Sequence, residues 1–326
     1  MDDAPPRKQP GLLKRAWPWL VGLAIVIVIA TRVPVEAFRE AIGKGPHVLL
    51  GFVTLGVTTT VLCTDSLSTW IGLLALDIRR PLSRVFVVRG ATYVLFLVNY
   101  AVGQGAFGYY LNRTGVPGFR AVGVTLFLLG TNLATLLLVT TLVWAIGSAG
   151  EVHAALWWTL LVGSGGFVLY LVAIVIKPAF IARRETLAPL FDAGLRGHAL
   201  AIIGRLPHTA VIVLGHWVAV RAWGIPVPLW AGITLMPAVA IASVLPISPA
   251  GLGTTQAALV YFFTSFAAGG TLDERQANVL AFAVVYFVYC VLASAIVGIV
   301  CTPFAKKLGV LAPQKISSDS NRDSAP

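Results

Sequence analysis

Acidic side chains are scarce in this chain: 13 Asp and Glu stand among 326 residues, against 24 Lys and Arg, and charged residues of both signs make up 11%. A globule of this length needs a polar coat that so few charges do not supply. With 57% hydrophobic residues and a mean hydropathy of +0.85, the composition is that of a polytopic membrane protein. The same scarcity excludes reaction classes. Paired carboxylates inside apolar segments, a Ser-His-Asp order and a His-Glu-x-x-His zinc spacing are all missing, so hydrolase and metalloprotease chemistry find no support and no catalytic residue or metal ligand is assigned. The three cysteines, Cys63, Cys290 and Cys301, fall in apolar segments without ligand spacing. They are read as packing residues, and no disulfide framework is implied.

What is present is apolar sequence, recurring from Trp17 to Thr302 and broken by short loops. No stretch is left over for a soluble catalytic domain. Residues 1–16 form a basic tail, 17–303 the membrane domain, and 304–326 a polar tail read as disordered. Trp17 to Ala30 follows Arg7, Lys8, Lys14 and Arg15 as a signal peptide would, but Thr31-Arg32-Val33-Pro34 is a poor cleavage site, so a retained first helix is expected. The net charge of +11 is spread over loop edges and helix ends instead of one stripe. This pattern suits topology determinants facing anionic lipid, and nucleic acid is not expected as a partner.

Apolar segments are drawn at 17–33, 46–76, 85–111, 121–147, 153–177, 197–223, 228–268 and 277–303. The N-terminal basic cluster and Arg79, Arg80, Arg84 and Arg89 belong on the cytoplasmic side, and the balanced Arg32–Lys44 loop suits the outside. A full crossing by 85–111 would put Lys177, Arg183, Arg184 and Arg196 outside, against the charge rule. Re-entrance of 85–111 from the cytoplasm repairs this, and Gly103-Gln104-Gly105-Ala106-Phe107-Gly108 is a weak helix interior, each Gly costing about 1 kcal/mol relative to Ala. By the same logic 228–268 enters from outside and turns at Pro246–Gly253. The expected fold is all-α, with about six full spans plus two re-entrant helical elements and both termini cytoplasmic. The halves 17–147 and 153–303 then form an inverted repeat with facing re-entrant tips, as in many secondary transporters. An ordinary pair of helices joined by a Pro/Gly turn at 246–253 preserves the same parity and stays open.

Leu245-Pro-Ile-Ser-Pro-Ala-Gly-Leu-Gly-Thr-Thr-Gln256 is where irregular backbone meets apolar flanks. Such backbone is tolerated at membrane depth only inside protein or beside a wet cavity. Ser248, Gly251, Gly253, Thr254, Thr255 and Gln256 are candidate ligands for an anion at the start of a half-helix; a structural loop whose Ser and Thr cap the next helix is the equal alternative. Arg205 sits about 12 Å into its helix from His198, at an intramembrane cost of at least about 2.5 kcal/mol. It is the first candidate for a phosphate-binding cation, with snorkelling to the interface as the other reading. His208 and His216 suit proton relay or packing. Asn99, Gln104, Asn112 and Asn132 suit either a polar head group or helix joining, and Arg113 accompanies Gln104 and Asn112 at the first tip. Ile181–Leu195 reads as an amphipathic surface helix.

Pro246 to Gln256 resembles the Pro-x-x-x-Gly-Gly-Leu-Gly-x-x-Glu signature of the lysylphosphatidylglycerol synthase transmembrane, or flippase-like, family. Gly103-Gln104 followed by Tyr110-Leu-Asn-Arg-Thr-Gly-Val116 is similar to that family's Gly-Glu segment and basic Thr-Gly-Val turn. The resemblance implies a bacterial cytoplasmic membrane protein that moves lipid. Ala250 replaces a family Gly, and Gln104 and Gln256 stand where the family has Glu, so two carboxylates have become amides that hydrogen-bond but do not exchange protons. The expectation is a lipid flippase for a polar, phosphate-bearing head group, with membrane lipids as partners and no cofactor. The alternative is a membrane subunit that presents lipid to a separate glycosyl- or aminoacyl-transferase.

Overall fold

A computed structural model describes residues 34–96, 100–146, 154–244 and 251–308, together with individual residues between 20 and 31. The expected first helix at 17–33, both tails, Asn99, Ser248, Pro246 and Pro249 lie wholly or largely outside these residues. Among the described residues the chain is helical, without a strand: α1 (Val35–Lys44), α2 (His47–Leu74), α3 (Leu82–Phe96), α4 (Tyr100–Arg113), α5 (Gly118–Ile146), α6 (Ala154–Ile176), α7 (Ala188–Ala222), α8 (Leu229–Val244), α9 (Thr254–Phe263) and α10 (Leu272–Lys307). A single turn at Ala179–Ala182 precedes α7, and a 3₁₀ turn at Thr264–Phe266 follows α9.

Helices α2, α5, α7 and α10 are long and apolar enough to cross a membrane. Their 28 to 36 residues correspond to about 42 to 54 Å, against a hydrocarbon core of about 30 Å. Their outward faces are apolar, as at Phe52, Ile203 and Ile299, which suits lipid as solvent. The protein is a helical, multi-pass membrane protein. By contrast α3, α4, α8 and α9 have 15, 14, 16 and 10 residues, or about 15 to 24 Å.

Two corrections concern boundaries. Arg32–Lys44, read as a loop, is helical from Val35, because Phe38, Ala41 and Ile42 share one face and pack against the core. The stretch drawn as one surface helix over Ile181–Leu195 is a turn followed by the start of α7, whose backbone departs from helix at Gly194. Phe191 and Ala193 are buried while Arg183 and Arg184 stay exposed.

The central pair is α2 with α7, packed antiparallel. Glycines on α7 let the backbones approach: a Cβ on Gly204 would lie 2.6 Å from Ile71 Cγ2, and one on Gly215 would lie 2.5 Å from Val57 Cγ1. Ser68 Oγ donates across the seam to the Gly204 carbonyl at 2.9 Å. Around this pair the packing is reciprocal. Helix α5 packs on α7 as α10 does on α2, and α3 packs on α10 as α8 does on α5. The pairs α2–α3, α3–α4 and α4–α5 recur as α7–α8, α8–α9 and α9–α10, and α1 rests on α10 as α6 rests on α5. The series α1 to α5 thus maps in order onto α6 to α10.

Two apolar cores lie along the central pair. One gathers Leu73, Val88, Phe107, Tyr110 and Phe127; the other gathers Leu50, Val213, Val239, Phe263 and Phe282. Between them, on both α2 and α7, the sequence turns polar.

Candidate functional site

That polar interval centres on Asp65 of α2, 3% exposed in a helix whose other described buried residues are uncharged. Each of its carboxylate oxygens takes a different guanidinium. Arg89 of α3 donates from Nε to Oδ2 at 2.7 Å, with Nη2 2.6 Å away, and Arg205 of α7 donates from Nη1 to Oδ1 at 2.8 Å. His208, one turn after Arg205, brings Nε2 to 4.0 Å from Oδ1, and its Nδ1 lies 3.5 Å from Thr64 Oγ1. Arg89 also donates from Nη1 to Gln104 Oε1 of α4 at 3.2 Å and lies 5.4 Å from the ring centroids of both Phe96 and Phe107. Three helices therefore meet at one carboxylate, and α4 joins the network through Arg89.

Charge decides what this cluster can hold. Among the described side chains the cluster holds two guanidinia and one carboxylate, all nearly sealed from solvent. An uncompensated charge in a low-dielectric interior is costly, and a nearby anion offsets that cost. Next to the cluster lies a cavity of about 300 Å³ walled by α2, α3, α5, α7, α8 and α10. Asp65 and Arg89 form its charged side; His208, Asn132, Ser243, His216 and Ser294 add polar points; Tyr93, Phe96, Leu136 and Tyr286 supply apolar wall. Its size and its mixture of charge with apolar surface suit a small amphipathic ligand.

Several sequence-predicted residues meet here. Arg205, His208 and Gln104 are all in the cluster, and Arg205, at 4% exposure, is ion-paired inside the bundle instead of reaching for the interface. Asn132 lines the cavity. Among the described residues, the second expected re-entrant element reaches the cavity through Ala240 and Ser243 of α8. Gly251 and Gly253 have φ of +73° and +86°, a conformation that admits glycine at little strain, and a Cβ on Gly251 would lie 2.8 Å from Ser243 Cα. Thr254 Oγ1 donates to the Ala242 carbonyl at 2.9 Å. Gln256 is 1% exposed, and its Oε1 accepts the Gly253 amide at 2.6 Å. Thr254 and Gln256 are thus engaged in closing the turn, with the buried Thr255 hydroxyl beside Gly251.

Asn112 and Arg113 are not part of the cluster. They end α4, eight and nine residues beyond Gln104 or about 12 Å along the helix; Asn112 Nδ2 donates to the Val116 carbonyl at 3.1 Å, and Arg113 packs over Tyr109. Arg89 is placed differently from its expected role. Read from sequence as a cytoplasmic topology determinant, it is 4% exposed and bonded to Asp65, because its helix begins at Leu82 and carries it about 10 Å inward. Asp65 was missed altogether. Its signal was available: a carboxylate within the apolar run 46–76 marks a functional site by default.

Among the described residues no group of three or more His, Cys, Asp or Glu could hold a metal ion. The fold and this centre define a class, a multi-pass helical membrane protein with a charged, cavity-lining site between two halves. No protein-family profile, curated protein or solved structure matches the chain.

Proposed function

We propose that this protein is a lipid carrier that moves a lipid with an anionic, phosphate-bearing head group across the bacterial cytoplasmic membrane. The observation that carries this reading is the buried cluster of two guanidinia, Arg89 and Arg205, on one carboxylate, Asp65, with Arg89 and Asp65 at the wall of a six-helix cavity. A phosphodiester supplies the balancing charge and accepts the forked geometry of Arg. The resemblance of the 246–256 and 103–116 segments to the flippase-like family points the same way.

The architecture fits transport by alternating access. Antiparallel α2 and α7, together with the reciprocal packing of α1–α5 and α6–α10, support an inverted repeat. The short pairs α3–α4 and α8–α9 then enter and leave from opposite sides as re-entrant hairpins, with both termini cytoplasmic.

The test is movement of fluorescent phosphatidylglycerol in protein-only liposomes. The protein should move it and leave a neutral diacylglycerol analogue at the background rate. Arg205→Gln should cut the rate about tenfold or more, since it removes a charge-assisted contact. Gly253→Ala, strained at φ +86°, should slow transport with less effect on binding. Binding without movement under any lipid composition would favour the accessory role beside a separate transferase.

A further inference from the structure

The cluster raises a question about the carrier without its lipid: what anion keeps two buried guanidinia compatible with an apolar interior? Asp65 is placed to be that anion. Its two oxygens bridge Arg89 on α3 and Arg205 on α7 with one contact each, and a phosphodiester likewise presents two unesterified oxygens on one centre. Asp65, Arg89 and His208 all face the cavity, so a head group arriving there meets the Arg89 guanidinium and the carboxylate that links it to Arg205. A second place for that carboxylate is at hand, because His208 Nε2 stands 4.0 Å from Oδ1, on α7 one turn from Arg205.

We propose that Asp65 is an exchangeable stand-in for the head-group phosphate: loading displaces its carboxylate from Arg89 and Arg205 toward His208, and release lets it return. The inference rests on the head-group reading above and adds how the site is regulated. Three consequences follow from charge. The unloaded cluster keeps a carboxylate between its guanidinia, so they are not left bare. Anion affinity is held down by an internal competitor, which favours release on the far side. The helices joined by the carboxylate, α2 with α3 and α2 with α7, are released from one another only when lipid replaces it, which ties loading to rearrangement at the seam between the halves.

The discriminating measurement is equilibrium binding of dihexanoyl phosphatidylglycerol to purified protein in detergent, followed by calorimetry. Asp65→Asn removes the competitor and retains the shape, so binding should tighten about tenfold or more while liposome transport falls. Added short-chain lipid should raise the melting temperature of this variant more than that of the native protein. Asp65→Asn with Arg89→Gln, which restores one excess charge, should return affinity toward the native value. Should the variants fail to fold, the native protein answers by infrared difference spectroscopy: binding should shift a carboxylate band as the guanidinium contacts of Asp65 are lost. Weaker binding by Asp65→Asn, or an unchanged carboxylate band on saturation of native protein, overturns the exchange. A native protein that neither binds nor moves the lipid instead overturns the head-group reading itself.

Discussion

Asp65 ties α2 to α3 and α7 through one carboxylate, and its neighbours set the charge of the site. Gln104 is the clearest case. Its Oε1 accepts from Arg89 at 3.2 Å, so the amide orients the guanidinium without neutralising it. Gln104→Glu places a second carboxylate on Arg89 and takes the local sum of two Arg and one Asp from an excess of one positive charge to none. Phosphatidylglycerol binding should weaken about tenfold, and the residual transport should become pH-dependent as the new carboxyl titrates. A calorimetric titration of the variant against native protein checks the first point and a pH series in liposomes the second. Unchanged affinity would mean that the excess charge is not what holds the head group. Arg205 and His208 were legible as unusual residues inside an apolar helix. Asp65 was equally visible as a carboxylate in an apolar run, but its pairing with them was not, since it lies 140 residues from Arg205 and 24 from Arg89, and such a pairing leaves no local trace.

At the scale of elements, small residues decide which helices approach. Gly204 brings α7 onto α2 at the level of the cluster, where Ser68 bonds its carbonyl. Gly204→Val should therefore overpack the seam against Ile71 and cost about 1–3 kcal/mol. Most of that loss should return in the double variant with Ile71→Ala, because a Cβ at 204 would meet Ile71 Cγ2 first. Melting curves of the three variants decide this, and a double variant no better than the single would place the strain elsewhere. Helices α3 and α10 use the same device reciprocally: a Cβ on Gly90 would strike Cys301 Sγ, and one on Gly298 would strike Val94 Cγ2. Element positions were largely readable, as with 46–76 and 121–147 against α2 and α5. The short helix α1 was not, because its amphipathic face spans only 10 residues and is bordered by charges.

For the whole molecule, the testable consequence is topology. With α3–α4 re-entrant from the cytoplasm, Arg113→Cys in a cysteine-free background should react with an impermeant maleimide only after the inner face is opened. Labelling in intact cells would refute the arrangement. The sequence by itself determined the class of environment: an apolar composition with few charges dictates a lipid-facing bundle of helices, since unpaired backbone groups have no water to turn to. It also marked the weak helix interior at 103–108 and the Pro/Gly break, because glycine and proline act locally through φ and the missing amide. Only the tertiary structure decided which polar residues form the site. Burial makes ionic groups find partners, and the partners are chosen by helices meeting in space, so Asp65, Arg89, Gln104 and Arg205 converge whereas Asn112 and Arg113, close in sequence, do not.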